Sequence, residues 1–161
     1  MTDFMKLAGS LLEDESQLVV ICSIGGNMLG IPAGPIQEVL APPEIRPVHH
    51  SPEYVRGVFN LRGRVIVIID PAIKLGLLPQ SLAGETRILV VQSGPELVGI
   101  LVDSLIGIFP FSADQLTANP ENLPKAFRKV VSGFFFLDGK MTGLLMLNEL
   151  LGSGESGGAI S

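Results

Sequence analysis

This chain reads twice, and no other feature of it limits the fold as much. Gly30 to Val39, GIPAGPIQEV, overlays Gly99 to Ile108, GILVDSLIGI, without gaps. Val55 to Arg64, VRGVFNLRGR, overlays Val131 to Lys140, VSGFFFLDGK. Each first block follows an LVV run and a glycine-bearing turn, Gly25-Gly26-Asn27 in one copy and Ser93-Gly94-Pro95 in the other. Each second block leads into an apolar run, VIVIID ending at Asp70 and MTGLLMLN ending at Asn148. Two units in the same order, turn-rich and made of short apolar segments, predict two related β lobes.

Within each unit the periods are those of strands. QLVVICS and RILVVQS are runs of Val, Ile and Leu bounded by turn residues. In RVIVIID both alternating faces are apolar, so that strand is expected to be covered on both sides. Arg62-Gly63 and Asp138-Gly139 are two-residue breaks that suit tight hairpins, where glycine supplies a positive φ cheaply. Asp70-Pro71 and Asn148-Glu149 read as helix starts, a capping side chain followed in the first case by a proline. Short helices are expected over Ala72 to Leu75 and Glu149 to Leu151, with a leading helix in KLAGSLLEDE. The expected organisation is a leader over 1–15, one domain over 16–151 and a tail over 152–161. The first repeat covers about 16–78 and the second about 86–151, with the strands either staying in one lobe or interleaving.

Length and composition narrow the function. The 161 residues allow one domain with a real core, or two small lobes sharing one. An apolar fraction of 47% with 17% charged residues is that of a globular chain. The net charge of −5 and only 11 scattered Lys and Arg argue against nucleic acid, which needs clustered cations. The acidic N-terminus is unlike a signal peptide, and the most apolar window, LVGILVDSLIGIF, is interrupted and too short to span a bilayer. A cytoplasmic protein with no membrane insertion is expected. Cys22, the only cysteine, reads as a small buried hydrophobe. The tail matches G-x-G-x-x-G at Gly152, Gly154 and Gly157, but no strand precedes it and no helix follows. His49 and His50 are adjacent, so on an extended chain their side chains point apart. No nucleophile, base and orienting group assemble from motifs, so neither an enzyme, a cofactor nor a metal is expected.

Two charges stand out among the apolar runs. Glu38 lies in PIQEVL, where a regular strand would give it the same face as Ile36 and Leu40. Arg62 offers a planar fork able to grip a carboxylate with two bonds. Their counterparts in the second repeat are Gly107 and Asp138, so both charges are lost together. A Glu38–Arg62 pair fixing the first unit is therefore expected. Buried, it would matter greatly; solvated, little.

With these residues in view, the chain resembles the CheW-like chemotaxis coupling proteins. The resemblance rests on VRGVFNLRGRVIVIIDPAIKLGL, in which Asn60, Leu61 and Gly63 form the motif turn. VGILVDSLIGI, the IP…IQEVL segment with its acid at Glu38 and the closing GLLMLNELL support it, over about Gln17 to Leu151. The sequence departs from the family pattern at Val67, where proline is usual, at Pro71, where leucine is common, and at Pro35.

The resemblance implies an all-β fold of two SH3-like five-stranded β-barrel lobes packed around a shared core, with short helices. It implies a non-catalytic adaptor without cofactors, joining a chemoreceptor's cytoplasmic signalling tip to the regulatory domain of a CheA-type histidine kinase. A receptor helical hairpin would lie between the lobes, with Ile36, Val39, Gly99, Leu101 and Val102 as groove or wall residues and Glu38–Arg62 as support. A rival reading puts the same scaffold in another two-component pathway, such as surface motility or second-messenger control.

Overall fold

The structure, a computed structural model, describes residues 16–152. The leading helix expected in KLAGSLLEDE and the tail beyond Gly152 lie outside these residues. Among the described residues the strands are β1 (Ser16–Ile24), β2 (Asn27–Pro32), β3 (Ile36–Leu40), β4 (Val55–Leu61) and β5 (Arg64–Ile69), then β6 (Arg87–Ser93), β7 (Glu96–Val102), β8 (Ser104–Ser112), β9 (Val131–Leu137) and β10 (Lys140–Leu145). Short helices α1 (Pro71–Lys74), α2 (Lys125–Val130) and α3 (Leu147–Leu150) fill the gaps.

Two five-stranded sheets result, β8-β1-β2-β10-β9 in lobe I and β3-β6-β7-β5-β4 in lobe II. Neither lobe is one repeat. Lobe I takes β1 and β2 from the first repeat and β8, β9 and β10 from the second; lobe II takes the complement. The repeat survives as matched register. Val20 faces Ile108 in lobe I as Leu89 faces Val39 in lobe II. The parallel contacts match as well, Gly143 with Leu29 and Val67 with Val98.

Local chemistry explains the hairpins. Arg62 and Gly63 have φ of 51° and 87°, Asp138 and Gly139 of 51° and 76°. Both central residues of each turn thus have positive φ, the geometry whose twist suits two-residue hairpins. The glycine in each VxGxF block has another cause. A Cβ on Gly57 would lie 2.3 Å from the Arg46 carbonyl oxygen, and one on Gly133 2.5 Å from that of Thr117. Those carbonyls belong to equivalent one-residue bridges, Arg46 with Val58 and Thr117 with Phe134. A side chain at either glycine would push the extra segment off the strand.

Burial divides into three regions. Phe59, Ile66, Ile68, Ile88, Val90 and Leu101 fill lobe II, while Val19, Ile21, Phe111 and Phe135 fill lobe I. The largest cluster lies between the lobes and draws on both, including Cys22, Leu29, Ile31, Leu89, Val91, Ile100 and Phe134. From Ile66 to Ile69, β5 is covered on both faces as expected, but Val65 is 68% exposed because it sits beside the hairpin tip. Lys74 on α1 donates to the Leu150 carbonyl on α3 and lies 4.3 Å from the centre of the Tyr54 ring, tying the equivalent helices together.

The two helix starts differ. Asp70 caps α1 as expected, its Oδ1 accepting from the Ala72 N–H at 3.0 Å, though the helix covers Pro71–Lys74. Asn148 does not cap α3. Met146 stands at that cap with no side-chain bond, and Asn148 lies inside the helix. The register explains the shift: Ile69 pairs with Val55 as Leu145 pairs with Val131, so Met146 is the counterpart of Asp70.

Candidate functional site: the inter-lobe wall and its ion pair

The wall begins with a bulge. On β3, Ile36 pairs with Val91 and Glu38 with the next residue of β6, Val90, so Gln37 is extra. That extra residue turns Ile36 and Glu38 to opposite faces. The expected shared face is therefore corrected: Glu38 keeps company with Leu40 but not with Ile36. Ile36 and Val39 instead face the core between the lobes, half-buried against it.

Glu38 meets Arg62 from the β4–β5 hairpin. Arg62 Nη2 donates to Glu38 Oε1 at 2.5 Å and Nη1 to Oε2 at 3.3 Å, a two-bond grip. The Arg62 side chain is 70% exposed and that of Glu38 31%, so the pair is solvated and of the weak kind. The hydrogen bonds from Arg62 hold the Glu38 carboxyl below its ordinary range, and Glu38 raises Arg62 in turn. Asn60 Oδ1 accepts from the Gly63 N–H at 2.9 Å and braces the turn that aims Arg62, while Leu61 packs towards the lobe II interior. A depression beside the hairpin is lined by Glu44, Arg46, Phe59, Asn60 and Val65.

The remaining wall candidates are core. Leu101 and Val102 are 0% exposed, the first inside lobe II and the second between the lobes. Gly99 is buried, and a Cβ there would come within 2.9 Å of Ile88. Direct contact with a partner is closed to Leu101 and Val102 for lack of surface; they can only back the wall.

Sequence reasoning missed a buried node in lobe II. Asp70 is fully buried; its Oδ2 accepts from Arg56 Nη1 at 2.9 Å and from the Gln80 N–H at 2.9 Å. Its Oδ1 accepts from Gln80 Nε2 at 2.7 Å as well as from Ala72. Gln80 Nε2 also donates to the Leu101 carbonyl at 2.8 Å, and Arg56 to the Gln80 carbonyl at 2.8 Å. An acid ending an apolar strand, with an arginine at the start of the strand paired to it, was the available signal.

Other candidate groups fall apart in space or sit alone. His49 and His50 are exposed, His50 at a φ of 62°. Asp103 Oδ2 accepts from the Gly26 N–H at 3.2 Å, joining the two lobes where the chain crosses between them. Burial and the nearby Asp103 charge push the Cys22 thiol up to about 12. Among the described residues no three His, Cys, Asp or Glu gather as a metal-holding group, and no helix is long and apolar enough to cross a membrane.

Two SH3-like lobes fused through a common core, with a braced strand facing their seam, define the fold class. A solved structure described as the scaffolding protein TtCheW from Thermoanaerobacter tengcongensis has the same fold. Its TM-score is 0.74 at 24% identity, over 83% of this chain and 91% of that one. The model of the CheW-like domain matches residues 18–155, and the chain belongs to that family. The chemotaxis protein CheW of Klebsiella aerogenes is 29% identical over 150 residues, covering 93% of this chain and 89% of its own length. A probable chemotaxis protein CheW of Rhizobium etli is 36% identical over 107 residues, 66% of this chain and 69% of its own. This chain is a chemotaxis coupling adaptor.

Proposed function

We propose that this adaptor works without catalysis in the cytoplasm, holding a chemoreceptor's signalling tip beside the regulatory domain of a CheA-type histidine kinase. The observation that carries the docking part is the β3 bulge. It turns two apolar side chains, Ile36 and Val39, towards the seam between the lobes and leaves Glu38 on the other face, gripped by Arg62. A helix laid along the seam would meet an apolar strip with a polar rim beside it, the pattern of helix-in-groove recognition. Arg62 then acts as scaffold, fixing the hairpin against the strand that makes contact.

The test is a pull-down with a CheA-type regulatory domain, with and without a receptor tip fragment. Both should be retained, and Val39→Asp should weaken retention of the receptor fragment at least tenfold with the kinase domain still bound. Retention of neither partner overturns the proposal. Retention of a different kinase would move the chain to another two-component pathway.

A further inference from the structure

The connection between the repeats, residues 76–85, contains neither helix nor strand and is fastened at few points. At its start Leu77 packs against the shared core, its Cδ1 within 2.7 Å of where a Cβ on Gly25 of lobe I would stand. At its end the buried Thr86 hydroxyl accepts from the Ala83 N–H at 2.9 Å and donates to the Ser81 carbonyl at 3.2 Å. Between them every residue except Gln80 is exposed, and Leu78 is 85% so. Apolar burial therefore cannot hold the middle of the segment. Gln80 holds it, through its backbone and side-chain bonds to Asp70, Arg56 and the Leu101 carbonyl.

We infer that residues 76–85 are a latched strap, which opens as a unit while both sheets stay folded, and that the Arg56–Asp70–Gln80 node is the latch. Three observations carry this beyond the adaptor reading. First, the segment is bounded by Gly76, at a φ of 79°, and Gly84, both exposed, so the backbone can swing at either end. Second, the node is not fully satisfied: Gln80 Oε1 is buried with no partner, a cost borne only in the closed state and relieved by water on opening. Third, the strap reaches a cleft through one residue. Leu77 lines it together with Asn27, Met28, Leu123, Phe127 and Met141, so opening the strap widens an apolar space between lobe I and α2. Elements with few buried contacts and polar fastenings are those that open below the global unfolding free energy.

Hydrogen–deuterium exchange on the full chain, read by mass spectrometry over minutes to hours, tests this. In the unsubstituted protein the amides of Leu77, Leu78 and 80–82 should exchange faster than those of β6 and β7 and with little dependence on denaturant. Gln80→Met, which keeps the side chain's length without its donors, should raise strap exchange at least tenfold with β6 and β7 unchanged. Arg56→Leu should act in the same direction, and Leu78→Ser, outside the latch, should leave exchange as it was. Strap amides that exchange only with global unfolding in the unsubstituted protein overturn the inference. So does a Gln80→Met protein in which strap and sheets accelerate together, or in which the strap does not change.

Discussion

The two lobes share a register but are fastened by different chemistry. Lobe II is clamped by charge at the Arg56–Asp70–Gln80 node at the end of β5, with the weaker, solvated Glu38–Arg62 pair between β3 and the hairpin. Lobe I has Gly107, Asp138 and Met146 at the positions of Glu38, Arg62 and Asp70, and fills the space with rings. The Phe109 ring lies 3.0 Å from where a Cβ on Gly107 would be, and Phe111 and Phe135 meet at 4.8 Å between centroids. One backbone plan thus tolerates either ionic or aromatic fastening. What cannot vary is the pair Gly57 and Gly133, where a second backbone comes too close for a side chain.

Removing each lobe's own fastening should have the largest effect. Phe111→Ala in lobe I, where lobe II has no matching ring, should cost about 3–5 kcal/mol through the cavity it leaves. Asp70→Ala in lobe II should cost about 3–5 kcal/mol by stranding Arg56 and the donors around it. Urea unfolding measures both; a cheap Asp70→Ala would show that the ionic clamp is ornamental. Next come the shared glycines. Gly133→Ala should cost about 1–3 kcal/mol from overlap alone. Gly57→Ala should cost more, because its φ of 146° also disfavours a side chain. Equal costs at the two sites would break that distinction.

Smaller effects sharpen the comparison. Cys22 and Val91 occupy equivalent places in the shared core, so Cys22→Val gives lobe I the residue lobe II already uses. It should cost less than about 1.5 kcal/mol by the same unfolding measurement. Smallest should be the Glu38–Arg62 pair, whose coupling in a double-mutant cycle should be slight and fade in high salt. Its sign with pH is fixed. Arg62 lowers the Glu38 pKa in the folded state, so the contribution is present above the ordinary carboxylate range and lost as pH falls through the lowered value. Glu38→Gln should remove that acid-side slope; a slope that survives the substitution belongs to other groups.

Much of this was legible because it is local. The hairpin glycines, the strand runs and the Asp70 cap each depend on neighbours in sequence. The β3 bulge was not legible, since Gln37 carries no signature of an unpaired residue, and so Ile36 and Glu38 were put on one face. The Arg56–Asp70–Gln80 node was missed because its parts are separated by apolar strand and exposed strap. The overlay of Asp70 on Asn148 failed because it matched polar residues instead of ladder positions. Strand exchange is illegible for a deeper reason: in a repeat, β2 finds equally suitable edges in either copy, and pairing across copies leaves no mark in composition. Gly99, Leu101 and Val102 read as wall residues because apolar residues look alike in sequence whether they line a surface or lie behind it.

The exchange of strands between repeats also orders events as the chain leaves the ribosome. Lobe II has all its strands once Val102 has emerged, whereas lobe I waits for Leu145. Until then β1 and β2, made first, must remain as an unclosed hairpin beside a finished neighbour. Any factor that guards nascent chains would find its substrate there, at the first two strands of the lobes.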